Sequence, residues 1–74
     1  MFSKRQTEII TLVAQGKTYR TVEAELGISR GTLQTQVGRI MRKTQSTKQP
    51  REALVEAYWR HVRPGTDAAG TDSQ

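Results

Sequence analysis

The sequence predicts an all-α fold: a small four-helix domain that contains a helix-turn-helix, followed by a disordered tail. Apolar residues recur at helical spacing in four segments, and small polar residues or glycines delimit the first three. The last eleven residues are small and polar with no apolar anchor, a composition typical of disorder. We therefore expect one helix-turn-helix domain over residues 1–63 and a disordered tail or linker over residues 64–74.

The first helix is predicted over residues 4–15. Ser3 and Gln6 have the spacing of a capping box, in which each side chain satisfies a free backbone amide of the first turn. Gly16 is a natural end, because helices often stop at a residue with positive φ. The apolar residues of this segment that share one helical face are Ile9, Leu12 and Val13.

The second and third helices are predicted over residues 19–26 and 30–43. Thr18 and Ser29 are suitable N-cap residues for them, and Gly27 ends the second helix. Two helices joined by a short turn that contains glycine form the helix-turn-helix pattern. The apolar stripes are Tyr19, Val22 and Leu26 on the second helix, and Leu33, Val37, Ile40 and Met41 on the third.

The fourth helix is predicted over residues 50–62, starting near Pro50 because proline suits the first position of a helix. It must either close the core or pair with another copy of the chain, since only about 60% of the surface can be buried at this chain length. Its apolar stripe is wider than one contact requires. Core packing of Tyr58 and Trp59 is one interpretation, and a homodimer through the stripe is the other. The stripe consists of Leu54, Val55, Tyr58, Trp59 and Val62.

The positive charge is concentrated in the first half of the chain. The 74 residues carry a net charge of +5, and residues 1–43 hold eight basic and three acidic residues. Between Ser29 and Lys43 there are four cations and no acid. A charge run of this kind is often only a solvated face, but a basic balance also indicates polyanionic partners such as nucleic acid.

Several classes of protein are excluded by composition. The chain has no cysteine and one histidine, His61, so we expect neither disulfides, nor a metal centre, nor a cofactor. No apolar run is long enough for a membrane span or a secretory signal, and we expect a cytoplasmic protein. We also expect no enzymatic activity, because both aspartates, Asp67 and Asp72, lie in the tail. Glu52 and Glu56 form a helix-surface pair.

The outward face of the third helix has the composition of a DNA-reading surface. Amide and guanidinium groups pair with base edges in the major groove, which admits a helix. Free amides at the start of the second helix favour a phosphate, and this helix crosses the DNA backbone in helix-turn-helix complexes. The predicted base-reading residues are Arg30, Gln34, Thr35, Gly38 and Arg39. The predicted phosphate-binding residues are Lys17, Thr18, Arg20, Thr32, Arg42 and Lys43.

A resemblance to a known family supports this interpretation. The segments FSKRQTEII (residues 2–10), LVAQGKT (12–18) and LGIS (26–29) resemble the LuxR-type, or GerE-like, DNA-binding domain. The resemblance covers residues 2–43. It implies a four-helical domain that binds double-stranded DNA as a dimer through its last helix and regulates transcription. It places Gln34, Thr35 and Gly38 at base contacts and Lys17, Thr18 and Lys43 near phosphate contacts.

Residues 27–40 (GISRGTLQTQVGRI) also resemble the recognition unit of KorA-type plasmid repressors and of sigma-factor region-four domains. The chain departs from the LuxR-type pattern at four positions. Gln34 and Gln36 stand where a basic residue and a histidine are usual, and Thr44 and Ser46 stand where Leu and Val are usual. The departure at Thr44 and Ser46 implies that the fourth helix docks differently from that of the family.

Glu23 is a further departure, because helix-turn-helix units normally have a small alanine there. A carboxylate within the apolar stripe needs a partner, such as Arg20 or Arg30, or the helix pair opens more than usual. We therefore expect an atypical helix-turn-helix geometry.

The sequence predicts a sequence-specific, double-stranded-DNA-binding transcription regulator, either a repressor or an activator of a bacterial, plasmid or phage promoter. The alternative is a protein-interaction module that binds RNA polymerase or another regulator without reading DNA. Salt dependence separates the two, since only phosphate neutralisation makes affinity fall steeply with ionic strength.

Overall fold

The computed structural model describes residues 2–63, and the predicted disordered tail, residues 64–74, lies outside them. The predicted all-α fold is confirmed, and residues 2–63 contain no strand. The helices are α1 (Lys4–Ala14), α2 (Tyr19–Leu26), α3 (Arg30–Thr44) and α4 (Pro50–Ala57), and a π-helical turn over Tyr58–Val62 follows α4 directly.

Local side-chain caps explain where the first three helices begin. The Ser3 hydroxyl accepts from the Gln6 amide at 3.1 Å, and the Gln6 side chain accepts from the Ser3 amide at 3.1 Å. The predicted capping box is therefore present. Thr18 and Ser29 cap α2 and α3 by accepting backbone amides of the first turn, as predicted.

The ends of the helices differ slightly from the prediction. Helix α1 ends one residue early, at Ala14. Helix α3 continues one residue further, to Thr44, because the left-handed conformation that stops it is adopted by Gln45, with φ 55°.

The connection from α2 to α3 is the tight turn that the sequence predicts. Gly27 adopts a left-handed conformation with φ 66°, which costs a residue with a Cβ about 1–2 kcal/mol. The Ile28 amide donates to the Glu23 carbonyl at 3.1 Å, and the Ile28 side chain packs against the core. The chain thus contains a helix-turn-helix with α3 as its second helix.

All four helices contribute to one hydrophobic core, and α4 closes it by packing on α1 and α3. Burial at these contacts compensates for the short length of the individual helices, which are marginal alone. The buried apolar residues are Ile9, Ile10, Val13, Val22, Leu33, Val37, Ile40, Ala53, Leu54 and Ala57.

The fourth helix differs most from the prediction. After Ala57 the winding changes to the π form, with the Arg63 amide donating to the Tyr58 carbonyl at 2.8 Å. Because π bonds connect residue i with i+5, the side chains after Ala57 leave the 3.6-residue register of α4. A helix is therefore present over residues 50–62 as predicted, with α winding to Ala57 and π winding from Tyr58 to Val62.

The predicted stripe on this helix divides into two parts. Leu54 is fully buried in the core, so its assignment to a dimer surface was wrong. Trp59 is 55% exposed, so core packing does not describe this residue. Val55, Tyr58 and Val62 are half-buried against the core edge. Among residues 2–63, no helix is long and apolar enough to span a membrane.

Candidate nucleic-acid interface

The outward half of α3 exposes every side chain predicted to read bases. Leu33, Val37 and Ile40 point into the core, and the spacing of 100° per residue turns the intervening residues outward. The exposed residues are Arg30, Gln34, Thr35, Gly38 and Arg39. An amide, a hydroxyl and two guanidinium groups therefore lie on a surface that a major groove can accept.

Arg30 lies at the edge of this surface, against α2. Its Nε forms an ion pair with the Glu23 carboxylate, and its guanidinium lies 6.0 Å from the centre of the Tyr19 ring. Arg30, one of the two partners considered for Glu23, is therefore the one that compensates this carboxylate. Because the Arg30 side chain remains half-exposed, an anion from solvent can still reach it.

The start of α2 presents the second group of predicted residues. Lys17 Nζ lies 3.0 Å from Glu25 Oε2 in an exposed ion pair. The Thr18 hydroxyl accepts from the Thr21 amide at 3.1 Å, so it is already used as a cap. Arg20 is exposed, and its side chain forms no hydrogen bond or ion pair with other residues of the described range 2–63. On α3, the exposed Thr32 accepts from the Ser29 hydroxyl at 3.1 Å.

Arg51 positions this segment from α4. Its guanidinium donates to the Val13 carbonyl at 3.3 Å and to the Lys17 carbonyl at 2.6 Å, and it lies 5.7 Å from the centre of the Tyr19 ring. Arg51 thus fixes the backbone that bears Lys17. Sequence reasoning missed it, because its partners lie 38 and 34 residues away in the chain.

The C-terminal half of α3 forms a shallow groove with the start of α1. Arg39 and Arg42 are exposed, and neither guanidinium is paired with an acid of residues 2–63. Lys43 donates to Gln6 Oε1 at 3.0 Å, and its ammonium lies 5.6 Å from the centre of the Phe2 ring. The residues lining the groove are Gln6, Arg39, Arg42 and Lys43.

Gln6 is the second residue that sequence reasoning left out of the site. It is only 5% exposed, and besides Lys43 it contacts Gln36, to which it donates at 3.2 Å. The capping-box spacing was the one signal at this position. No group of three or more metal-ligating side chains occurs within residues 2–63.

Comparison with known protein families identifies a match. The family model for bacterial regulatory proteins of the luxR family matches residues 1–58, which includes all four α-helices. The match extends beyond residue 43, where the resemblance seen in the sequence ended. No curated protein and no solved structure matches the chain.

Proposed function

Since this chain belongs to the luxR family of bacterial regulatory proteins, we propose that it is a sequence-specific, double-stranded-DNA-binding transcription regulator that inserts α3 into the major groove. The observation that carries the proposal is the outward face of α3. That face presents the exposed amide of Gln34 and the exposed, unpaired guanidinium of Arg39 within residues 2–63, and the side opposite is anchored in the core.

In this proposal the outward face supplies the sequence preference. A helix in the major groove presents its outward side chains to base edges, where amide and guanidinium groups make discriminating hydrogen bonds. We assign base reading to Arg30, Gln34, Thr35, Gly38 and Arg39, with Gly38 allowing a close approach of the helix.

Phosphate contacts beside the two ends of α3 supply the remaining affinity. The start of α2 lies beside the N-terminal end of α3, where the Arg30 guanidinium is 6.0 Å from the centre of the Tyr19 ring, and the cationic groove lies beside the C-terminal half of α3. The first helix of a helix-turn-helix crosses the DNA backbone. Exposed ion pairs such as Lys17–Glu25 stabilise a protein by about 0–1 kcal/mol. Replacing Glu25 by a phosphate as the partner of Lys17 therefore costs little free energy. The proposed phosphate-binding residues are Lys17, Thr18, Arg20, Thr32, Arg42 and Lys43.

A homodimer through the π-helical turn completes the proposal. Trp59 is 55% exposed and packs edge-on against Tyr58, with the ring centres 5.5 Å apart. A second copy that covered Trp59 would bury a large apolar surface. With Leu54 in the core, Val55, Tyr58, Trp59 and Val62 remain for the contact.

Selection from a random pool of duplex DNA at about 0.1 M salt tests the proposal, since salt controls all phosphate-based affinity. We expect an enriched motif, and a palindrome would indicate a symmetric dimer. We also expect affinity for the selected site to fall steeply as salt increases. Absence of binding to any duplex would contradict the proposal and favour an interaction module that contacts RNA polymerase or another regulator.

A further inference from the structure

Two side chains on the flank of α3, Gln36 and Lys43, are joined through the buried side-chain amide of Gln6 on α1. Gln6 Oε1 accepts from the Ser3 amide at 3.1 Å and from Lys43 Nζ at 3.0 Å. Gln6 Nε2 donates to Gln36 Oε1 at 3.2 Å. Gln6 therefore connects the start of α1 with the middle and the C-terminal end of α3.

The chemistry of these groups determines which way both amides face. A backbone N–H and an ammonium group only donate, so the Gln6 atom that lies between Ser3 and Lys43 must be the oxygen. The other end of the Gln6 amide is then the nitrogen, which only donates. Gln36 must therefore turn its oxygen toward Gln6, and its Nε2 is left to face elsewhere.

The Gln36 nitrogen is available to a partner from outside. It makes no hydrogen bond with the other described residues, and it is not among the buried, unpartnered atoms of residues 2–63, so it reaches the surface. Gln36 and Lys43 are seven residues apart, which places them on the same stripe of α3. Arg39 and Lys43 line the cationic groove on this flank.

We propose that Gln36 Nε2 and Lys43 together bind a DNA backbone phosphate, and that Gln6 is the positioning residue that orients both. The proposal rests on the DNA-binding function proposed above. A phosphate is favoured over a base because these side chains lie on the flank next to α1, whereas Gln34 and Thr35 face outward. Phosphate oxygens only accept, and backbone contacts of this kind position the helix.

Gln6→Glu is the most informative variant, because it reverses the orientation of Gln36 without deleting any group. A carboxylate keeps the capping box and still accepts from Ser3 and Lys43. It also requires a donor from Gln36, which would turn the Gln36 oxygen toward the phosphate. We expect about a tenfold loss of affinity on all DNA sequences alike, the order expected for a hydrogen bond to a charged group.

The added negative charge is controlled by repeating Gln6→Glu in a Gln36→Met background, which has no amide to reorient. We expect a clearly smaller loss there. If Gln6→Glu lowered DNA affinity by the same factor in both backgrounds, the positioning role of Gln6 would be overturned. A loss confined to one base position would overturn the assignment to a phosphate. Thermal melting of each variant checks that the fold is retained.

A measurement without DNA separates this proposal from the proposed function. In ¹⁵N-labelled protein, the Gln36 side-chain amide protons should exchange rapidly with water, and Gln6→Glu should slow the exchange of one of them. Unchanged exchange would overturn the orientation argued here. If the wild type bound no DNA, the proposed function and the phosphate site would both fail, while the exchange data would still report on Gln6.

Discussion

Arg51 Nη2 donates a 2.6 Å hydrogen bond to the backbone carbonyl of Lys17, joining the first turn of α4 to the segment that precedes α2. The second guanidinium bond, to the Val13 carbonyl, fixes the end of α1. One side chain therefore holds three helices at the point where the proposed phosphate-binding segment begins. The fourth helix thus closes the core and also positions part of the candidate interface.

Arg51→Met tests this role. It keeps much of the side-chain length but removes both hydrogen bonds, and hydrogen bonds to charged groups contribute about 1.5–3 kcal/mol. We expect the free energy of unfolding in urea to fall by about that amount, and DNA binding to weaken as Lys17 loses its placement. Arg60→Met is the matched control, since Arg60 forms one exposed pair with Glu56. Equal unfolding curves for the two variants would contradict the prediction.

Glu23→Gln tests whether Glu23 competes with DNA for Arg30. The ion pair is exposed on the arginine side, so we expect its loss to change stability by less than about 1 kcal/mol. DNA affinity should increase, because Arg30 is then released for DNA. Glu52→Gln removes the same charge from an exposed position on α4 and corrects for net charge. Loss of both folding and binding in Glu23→Ala would instead show that Glu23 is structural.

The fold was largely predictable because its signals are local. The caps Ser3, Thr18 and Ser29 act on amides three residues away, and the left-handed conformation in the turn is adopted by a glycine, Gly27. Helix periodicity also identified which side of α3 is exposed, because the exposed side is the one opposite the buried apolar residues Leu33, Val37 and Ile40.

The remaining features depend on how the helices pack. Arg51 and Gln6 each contact residues thirty or more positions away, and no short pattern specifies such pairs. The change to π winding after Ala57 likewise shifts the side chains out of the constant α-helical register that the sequence prediction used for the fourth helix. For this reason the stripe on the fourth helix was assigned as a unit, although Leu54 is buried and Trp59 is exposed.

Gln34→Ala and Lys17→Ala together test the proposed division between base reading and phosphate binding. Gln34→Ala should relax the preference at one base position by about 1–3 kcal/mol, whereas Lys17→Ala should weaken all sequences alike and reduce the salt slope by about one. Affinities for a selected site and its single-base variants, over a range of salt concentrations, measure both effects. The same uniform loss for both variants would refute the division of roles.

Trp59→Ser tests the proposed dimer contact. Because the indole is largely exposed, we expect the substitution to change the free energy of unfolding by less than about 0.5 kcal/mol relative to the wild type. Self-association, measured by sedimentation equilibrium, should weaken. Leu54→Ala is the contrasting variant: it removes a fully buried side chain and should destabilise the monomer by about 2–5 kcal/mol. If the wild-type protein were monomeric both in the absence and in the presence of DNA, the dimer would be ruled out.

Gly38→Ala should change stability and DNA binding in opposite directions. Gly38 is in the middle of α3, and nothing lies within 4 Å of a Cβ built there. Alanine should therefore stabilise the fold by up to about 1 kcal/mol through helix propensity. If α3 approaches DNA closely at Gly38, the added methyl group will meet the DNA, and we expect a weaker complex. Gly27→Ala, at φ 66°, should instead destabilise the fold by about 1–2 kcal/mol. Urea unfolding and DNA titration of both variants measure the two effects, and unchanged DNA affinity in Gly38→Ala would mean that Gly38 lies on a surface that DNA does not approach.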